Sequence, residues 1–441
     1  MSALARLLHE RGLRVSGSDL QPSATLDELA ALGIRTAVGH ARANAEGAAL
    51  VVVSSAVPRE NPELAWALDA SVPVVKRAEV LGWLSAERKT IAVAGTHGKT
   101  TTTAMVAWVL VAAGLEPGFA VGGDVPALSA SARLGSGPHL VVEADEFDRS
   151  FLQLRPWSAV VTNVEPDHLD YFGSPAAVYE AFERFVHLLP PHGWLIACAD
   201  DPGARALAGR FGERVVTYAV DGEATWRATE VRLERTGARF TVERDGRPVA
   251  EARLRLLGAH NVANALAAIA AADLCDVAPE SAAAALAEFA GARRRLDLRG
   301  QARGVAVYDD YGHHPTEVAA TLAAARPLCA GRLWCLFQPH TYHRTRVFLD
   351  EFAAALRAAD QAVVVDVYLP PGRERETFGV SSADIVARMP PDRARYIPDL
   401  AEAAAYVGRH AAPGDVVLTM GAGSVTRAAD WVLAALAERA G

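Results

Sequence analysis

Short, continuously apolar runs alternate along the whole chain with longer segments of helical periodicity, and most of the apolar runs end in small, acidic or imidazole side chains. A strand covered on both faces is apolar throughout, whereas a helix packed on a sheet shows only an apolar stripe. The pattern therefore predicts parallel sheets with helical crossovers, in three successive α/β units over residues 1–87, 88–292 and 293–441. In the first unit it predicts a helix over 2–10 and strands over 13–16, 48–53 and 72–75. The first two strands end in Gly17-Ser18-Asp19 and Ser54-Ser55, which makes Asp19 and Ser54 candidates for substrate contact, since ligands bind beyond strand carboxyl ends. The chain opens directly on the helix, so the strand and glycine-rich turn that would form the centre of a doubly wound sheet fall before residue 1.

The second unit carries three strands in succession, over 91–94, 140–142 and 159–161. They end respectively in Gly95-Thr96-His97-Gly98-Lys99-Thr100-Thr101, in Glu143-Ala144-Asp145-Glu146, and in Thr162-Asn163-Val164-Glu165-Pro166-Asp167-His168. In a parallel sheet all three clusters converge on one crevice. A helix over 100–113 follows the first cluster. Residues 226–256 read as a small antiparallel patch, and 257–274 as a helix entered through Gly258-Ala259-His260-Asn261. Arg293-Arg294-Arg295 marks the second boundary. Beyond it, strands are expected over 305–308, 333–337, 362–367 and 415–420, with helices around 315–325 and 348–359.

Composition sharpens one point. Among 441 residues there are three lysines against 41 arginines, and one of the three is Lys99. A chain that supplies positive charge as arginine keeps lysine where a compact ammonium is required. A phosphate loop is such a place. Its N–H groups wrap phosphate oxygens, its lysine reaches the outer phosphates and the next hydroxyl holds Mg²⁺. The usual first glycine of that pattern is replaced by Val93, and Gly95 opens a shorter loop. A plain glycine turn between strand and helix is the bland alternative. The net charge of −8 argues against nucleic acid as the main partner, and no apolar stretch is long enough to predict a membrane span. Cys198, Cys275, Cys329 and Cys335 lack metal-type spacing and read as thiols of a reducing, cytoplasmic compartment.

Glu143 is the strongest metal-ligand candidate, at the end of the strand following the phosphate loop, where it can share Mg²⁺ with Thr100. His168 is a candidate second ligand, although a histidine at a strand end is as often simply packed. In the third unit, Asp309-Asp310-Tyr311-Gly312-His313-His314-Pro315 and Gln338-Pro339-His340-Thr341-Tyr342-His343-Arg344 are dense in groups that bind polar ligands, and Arg344 can meet a substrate carboxylate.

These motifs, together with His260-Asn261 and Asn264, resemble those of the Mur ligase family over nearly the whole chain, and His97 resembles its alanine-adding branch. The resemblance implies an α/β, three-domain fold: an N-terminal Rossmann-like domain lacking its first strand, a central P-loop ATPase domain and a C-terminal Rossmann-like domain. It implies ATP and Mg²⁺ as cofactors, UDP-N-acetylmuramate and L-alanine as substrates, and a monomer or homodimer acting without nucleic acid or membrane. It assigns Gly95, Thr96, His97, Gly98, Lys99, Thr100, Thr101 and Asn264 to ATP, and Thr100, Glu143 and His168 to the metals. Lys99, Glu143, His168 and His313 would carry catalysis, while Tyr311, His340 and Arg344 line the amino-acid site. Relatives that hold a second metal with a carbamylated lysine are set apart, because no lysine follows Lys99. The missing N-terminal turn contacts UDP in the family, so either the start is internal to the natural reading frame or UDP-sugar affinity is impaired. A peptide-adding relative, a folate or cyanophycin ligase, and a non-catalytic ATP-binding paralogue stay open as alternatives.

Overall fold

The apolar runs of the middle unit assemble into one ten-stranded sheet in the computed structural model, which describes residues 1–370 and 376–438. The strand Lys89–Ala94 lies between His139–Glu143 and Ser158–Val161 and pairs parallel with both. Ile91, Ala92, Val93 and Ala94 have no exposed surface, which is why this strand is apolar on both faces. The helices Lys99–Ala112 and Ala259–Asp273 pack against each other beside it, and their alanines and valines belong to the same core.

The antiparallel segment is not a separate patch. Trp226–Glu234, Gly237–Arg244 and Arg247–Leu254 continue the main sheet, because Trp226 pairs parallel with Tyr218 of the strand Val215–Ala219. Tight turns join the three, and buried Trp226, Phe240 and Val242 tie them to the common core.

In the N-terminal unit the helix Ser2–Glu10 forms as expected, with Leu4 and Leu7 packed into the middle unit's core. The first strand is Ser16–Asp19 rather than 13–16, since Leu13 is exposed in the turn that leaves the helix. It pairs only with Arg35–Val38, while Val51–Val53 pairs only with Val74–Lys76, so the four strands form two separate two-stranded sheets. The helix Arg77–Ala86 runs straight into the strand Lys89–Ala94 and packs so closely on the middle unit that a Cβ on Gly82 would meet the Gln153 carbonyl at 2.3 Å.

The C-terminal unit is a six-stranded sheet in the spatial order Asp297–Ala302, Val305–Asp310, Val416–Met420, Leu333–Phe337, Gln361–Val364, Ala394–Tyr396, parallel except for its first strand. Separate apolar clusters cover its two faces. The helical segment after Gln338 begins earlier than expected, as Tyr342–Val347 followed by Leu349–Leu356, with Thr341 capping Arg344. Arg293–Arg295 is bound down rather than loose: Arg293 donates to the Asp124 carbonyl, Arg294 pairs with Asp309 and Arg295 with Glu317.

Candidate active site

The phosphate loop takes its shape from its glycines and from the third strand's end. Gly95 has φ 144° and lies so close to Thr162 that a Cβ would sit 1.9 Å from Oγ1. Gly98, at φ 79°, precedes the first helical residue and faces Asn264 Oδ1, which a Cβ would approach to 2.9 Å. Asn264 is thereby placed on the loop, where it also accepts a hydrogen bond from Thr102 Oγ1 at 3.1 Å. Asn163 Oδ1 accepts from the His97 N–H at 2.7 Å, and Thr162 Oγ1 donates to the His97 carbonyl at 2.6 Å. The glycine replaced by Val93 is not missed, because Val93 is a buried core residue of the strand and the loop starts at Gly95.

Lys99 Nζ donates to the carbonyls of Gly95 (2.6 Å) and Thr96 (3.0 Å) and to Glu146 Oε1 (3.0 Å). Burial works against its charge, but the carboxylates of Glu146, Asp145 and Glu143 outweigh that and raise its pKa. Glu146, its side chain 3 % exposed, is a partner of Lys99 that the sequence does not single out, since three neighbouring acids give no sign of which one turns inward.

Thr100 Oγ1 donates to Glu143 Oε1 at 3.1 Å, and Glu143 Oε2 accepts from the Gly122 N–H at 2.7 Å. The backbone of Gly122 and Gly123 presses on this pair, since a Cβ would fall 2.5 Å from Glu143 Oε1 or 2.9 Å from the Thr100 methyl. A hydroxyl and a carboxylate held together are hard oxygen donors, the set that suits Mg²⁺. Burial lowers the His168 pKa, keeping its imidazole neutral as a metal ligand must be.

Across the crevice the C-terminal unit closes a cavity of about 290 Å³ whose lining includes Glu143, His168, Tyr311, His313, His340 and Arg344. Six side chains singled out from separate segments therefore share one space. Burial, reinforced by Arg344, pushes His313 down to about 4, and its Nδ1 lies 3.0 Å from the Tyr311 carbonyl. Arg344 is not open to a free carboxylate in this arrangement. Its Nη2 donates to both oxygens of Asp167, at 2.8 and 3.0 Å, and its Nε to one, so the guanidinium bridges the two domains. This pair, 7 % and 8 % exposed, holds Asp167 far below the usual carboxylate range against the effect of burial.

Ser54 lines a second cavity, of about 480 Å³, between the N-terminal and middle units, together with Lys76, Arg77, Asp148 and Arg149. Asp19 does not line it; that residue is exposed at its strand end and accepts from the Gln21 N–H. Among the described residues all four cysteines are free, and no helix is long and apolar enough to cross a membrane.

A phosphate loop, strand-end acids and a further α/β domain closing over them define a multidomain nucleotide-using P-loop protein. Residues 93–272 match the profile of the Mur ligase middle domain, 294–423 the Mur ligase glutamate ligase domain and 1–89 the Mur ligase family catalytic domain. The chain belongs to the Mur ligase family. It is 49 % identical to the UDP-N-acetylmuramate–L-alanine ligase of Renibacterium salmoninarum, over all of this chain and 94 % of that one. Against the relative of the same name from Kineococcus radiotolerans the figures are likewise 49 %, all of this chain and 94 %. The crystal structure of the UDP-N-acetylmuramate–alanine ligase from Thermotoga maritima superposes with a TM-score of 0.81 at 30 % identity, covering 98 % of this chain and 96 % of that one. A murein peptide ligase from Psychrobacter arcticus follows at 0.72 and 29 %, covering all of this chain and 97 % of its own.

Proposed function

We propose that this chain is an ATP-dependent ligase joining L-alanine to the muramate carboxylate of UDP-N-acetylmuramate, a step of peptidoglycan synthesis. The observation that carries the reading is the cavity where Glu143 and His168 of the ATP-binding unit meet Tyr311, His313 and His340 of the C-terminal unit. Near-half identity to alanine-adding relatives over the full length supports it. Residues 1–87 bind the UDP-sugar, 88–292 bind ATP and 293–441 bring the amino acid. The cavity that Ser54 lines between the two units offers Lys76, Arg77 and Arg149 as cations for a diphosphate, set among the carboxylates of Glu79, Asp145 and Asp148.

The reaction runs in two steps. A muramate carboxylate oxygen attacks the γ-phosphorus, the bond to the β–γ bridging oxygen breaks, and ADP leaves with that electron pair. The alanine nitrogen then attacks the acyl carbon of the acyl phosphate, inorganic phosphate departs, and a proton is lost from nitrogen as the amide forms. Phosphoryl transfer calls mainly for charge neutralisation and alignment. Lys99 supplies a fixed ammonium and the Lys99–Ala112 helix N-terminus supplies N–H groups. Thr100 and Glu143 would hold Mg²⁺, and Glu143 with His168 a second ion; bound there, they would neutralise phosphate charge. His313 is neutral near pH 7, and with Nδ1–H on the Tyr311 carbonyl its Nε2 carries the lone pair that would take the proton lost from the amine.

The test is ADP release with UDP-N-acetylmuramate and a panel of acceptors. Release that requires both the UDP-sugar and L-alanine is expected. Release with a tripeptide in place of alanine makes the chain a peptide-adding ligase, and ATP binding without release makes it a non-catalytic paralogue.

A further inference from the structure

The phosphate loop turns the His97 side chain toward the C-terminal domain, a contact to which the two reaction steps give no part. There His97 is enclosed by both domains. Its Nδ1 lies 3.4 Å from Glu317 Oε1, and its Nε2 lies 3.5 Å from Glu165 Oε2. His314 brings its ring to 4.6 Å from that of His97 and its Nδ1 to 3.9 Å from the same Glu165 oxygen. Among the described residues His97 Nε2 and His314 Nε2 are buried with no hydrogen-bond partner. One donor atom each from His97, Glu165 and His314 fall within 4.8 Å of one another.

We infer that His97, Glu165 and His314 form a binding site for a transition-metal ion such as Zn²⁺, distinct from the magnesium positions and bridging the phosphate loop to the C-terminal domain. Two imidazoles and one carboxylate are a borderline donor set that suits Zn²⁺, whereas Mg²⁺ takes oxygen ligands. Tetrahedral zinc, with bonds of about 2.0–2.2 Å, places its donor atoms about 3.3–3.5 Å apart. The His97–Glu165 spacing already matches; His314 Nδ1, which accepts the Thr316 N–H at 3.4 Å, has to give up that long bond and close on Glu165 from 3.9 Å, within a set of donors spread over no more than 4.8 Å. The surroundings have the form of a metal site's outer shell. Glu317 sits on His97 Nδ1, so that with the proton on Nδ1 the lone pair of Nε2 points at the cluster, a carboxylate–histidine–metal arrangement. Thr316 Oγ1 donates to Glu165 Oε2 at 2.7 Å and orients it. Three protein ligands leave a position for water, and Glu165, 30 % exposed, marks the way in. An ion held there fastens the C-terminal domain to the loop that must release ADP, so it slows turnover.

The inference stands apart from the ligase reading, because binding is measured without substrates. The full chain is dialysed against Co²⁺ or Zn²⁺ in excess Mg²⁺ at mildly alkaline pH; Mg²⁺ keeps the oxygen sites filled, and the added ion has to displace the proton that His97 otherwise holds up to about 9. Wild type should retain one equivalent, with the visible absorption of tetrahedral Co²⁺. Affinity should fall at least tenfold in His314→Gln and in Glu165→Gln and persist in Glu143→Gln. If His314→Gln fails to fold, Glu165→Gln decides. The inference is overturned if wild type retains no ion, if both variants retain it as wild type does, or if Glu143→Gln abolishes it. In the first case the cluster is a proton-held contact only.

Discussion

Two carbonyls and Glu146 hold the Lys99 ammonium at fixed points. A guanidinium is a wide planar fork that cannot satisfy those three acceptors in the same space. Lys99→Arg should therefore lower kcat for ADP release by about a hundredfold or more while the melting temperature stays near wild type; near-normal turnover would show that charge alone suffices. His97 sets a pH dependence. Burial works against its charge, but Glu165 and Glu317 outweigh that and raise it to about 9 from an ordinary 6.5. The folded state therefore binds this proton more tightly than the unfolded chain does. Its stabilisation is whole below about pH 6.5 and is lost as pH rises through 9. Melting curves across that interval should fall more steeply for wild type than for His97→Asn, and parallel curves would remove His97 from the account.

At the scale of elements, the sequence pattern points to the strand ends, and through them to residues that the structure gathers around one cavity. Buried parallel strands are continuously apolar, so the polar residue that ends each is conspicuous, and Glu143, His168 and the phosphate loop could be read that way. The helix Pro315–Ala325 and strand Leu333–Phe337 fall where periodicity puts them. What could not be read depends on distance across the fold. Nothing local distinguishes a hairpin that stands alone from one paired to Tyr218, and nothing marks Asp167 as the partner of a residue 177 positions away. Gly122 was overlooked for the same reason: it carries no side chain, yet its backbone fixes Glu143. A Cβ there intrudes on Oε1 without needing an unfavourable φ. Gly122→Ala should raise the magnesium concentration for half-maximal activity by about tenfold with little change in melting temperature. An unchanged magnesium dependence would separate Glu143 from the metal.

On the scale of the whole molecule, three α/β units surround one reaction path, and the contacts between the middle and C-terminal units are mostly charged. Leu4 and Leu7 root the N-terminal helix in the middle core, whereas the C-terminal unit meets the middle one through Arg344–Asp167, His97–Glu317 and Thr316–Glu165. Contacts of that kind are exchanged more readily than apolar ones, which suits a domain that must admit and release substrates. Arg344→Ala leaves Asp167 buried without its partner, a cost of about 3–5 kcal/mol against the closed arrangement. Small-angle scattering should then show a larger radius of gyration, and KM for alanine should rise; an unchanged radius would mean that the pair does not hold the domains together. The most direct measurement of the central claim follows oxygen. UDP-N-acetylmuramate labelled with ¹⁸O in its muramate carboxylate is turned over with ATP and L-alanine. An acyl phosphate requires one labelled oxygen in each inorganic phosphate released, matched one to one by ADP and amide. Unlabelled phosphate would mean that ATP is hydrolysed by water and would contradict the account.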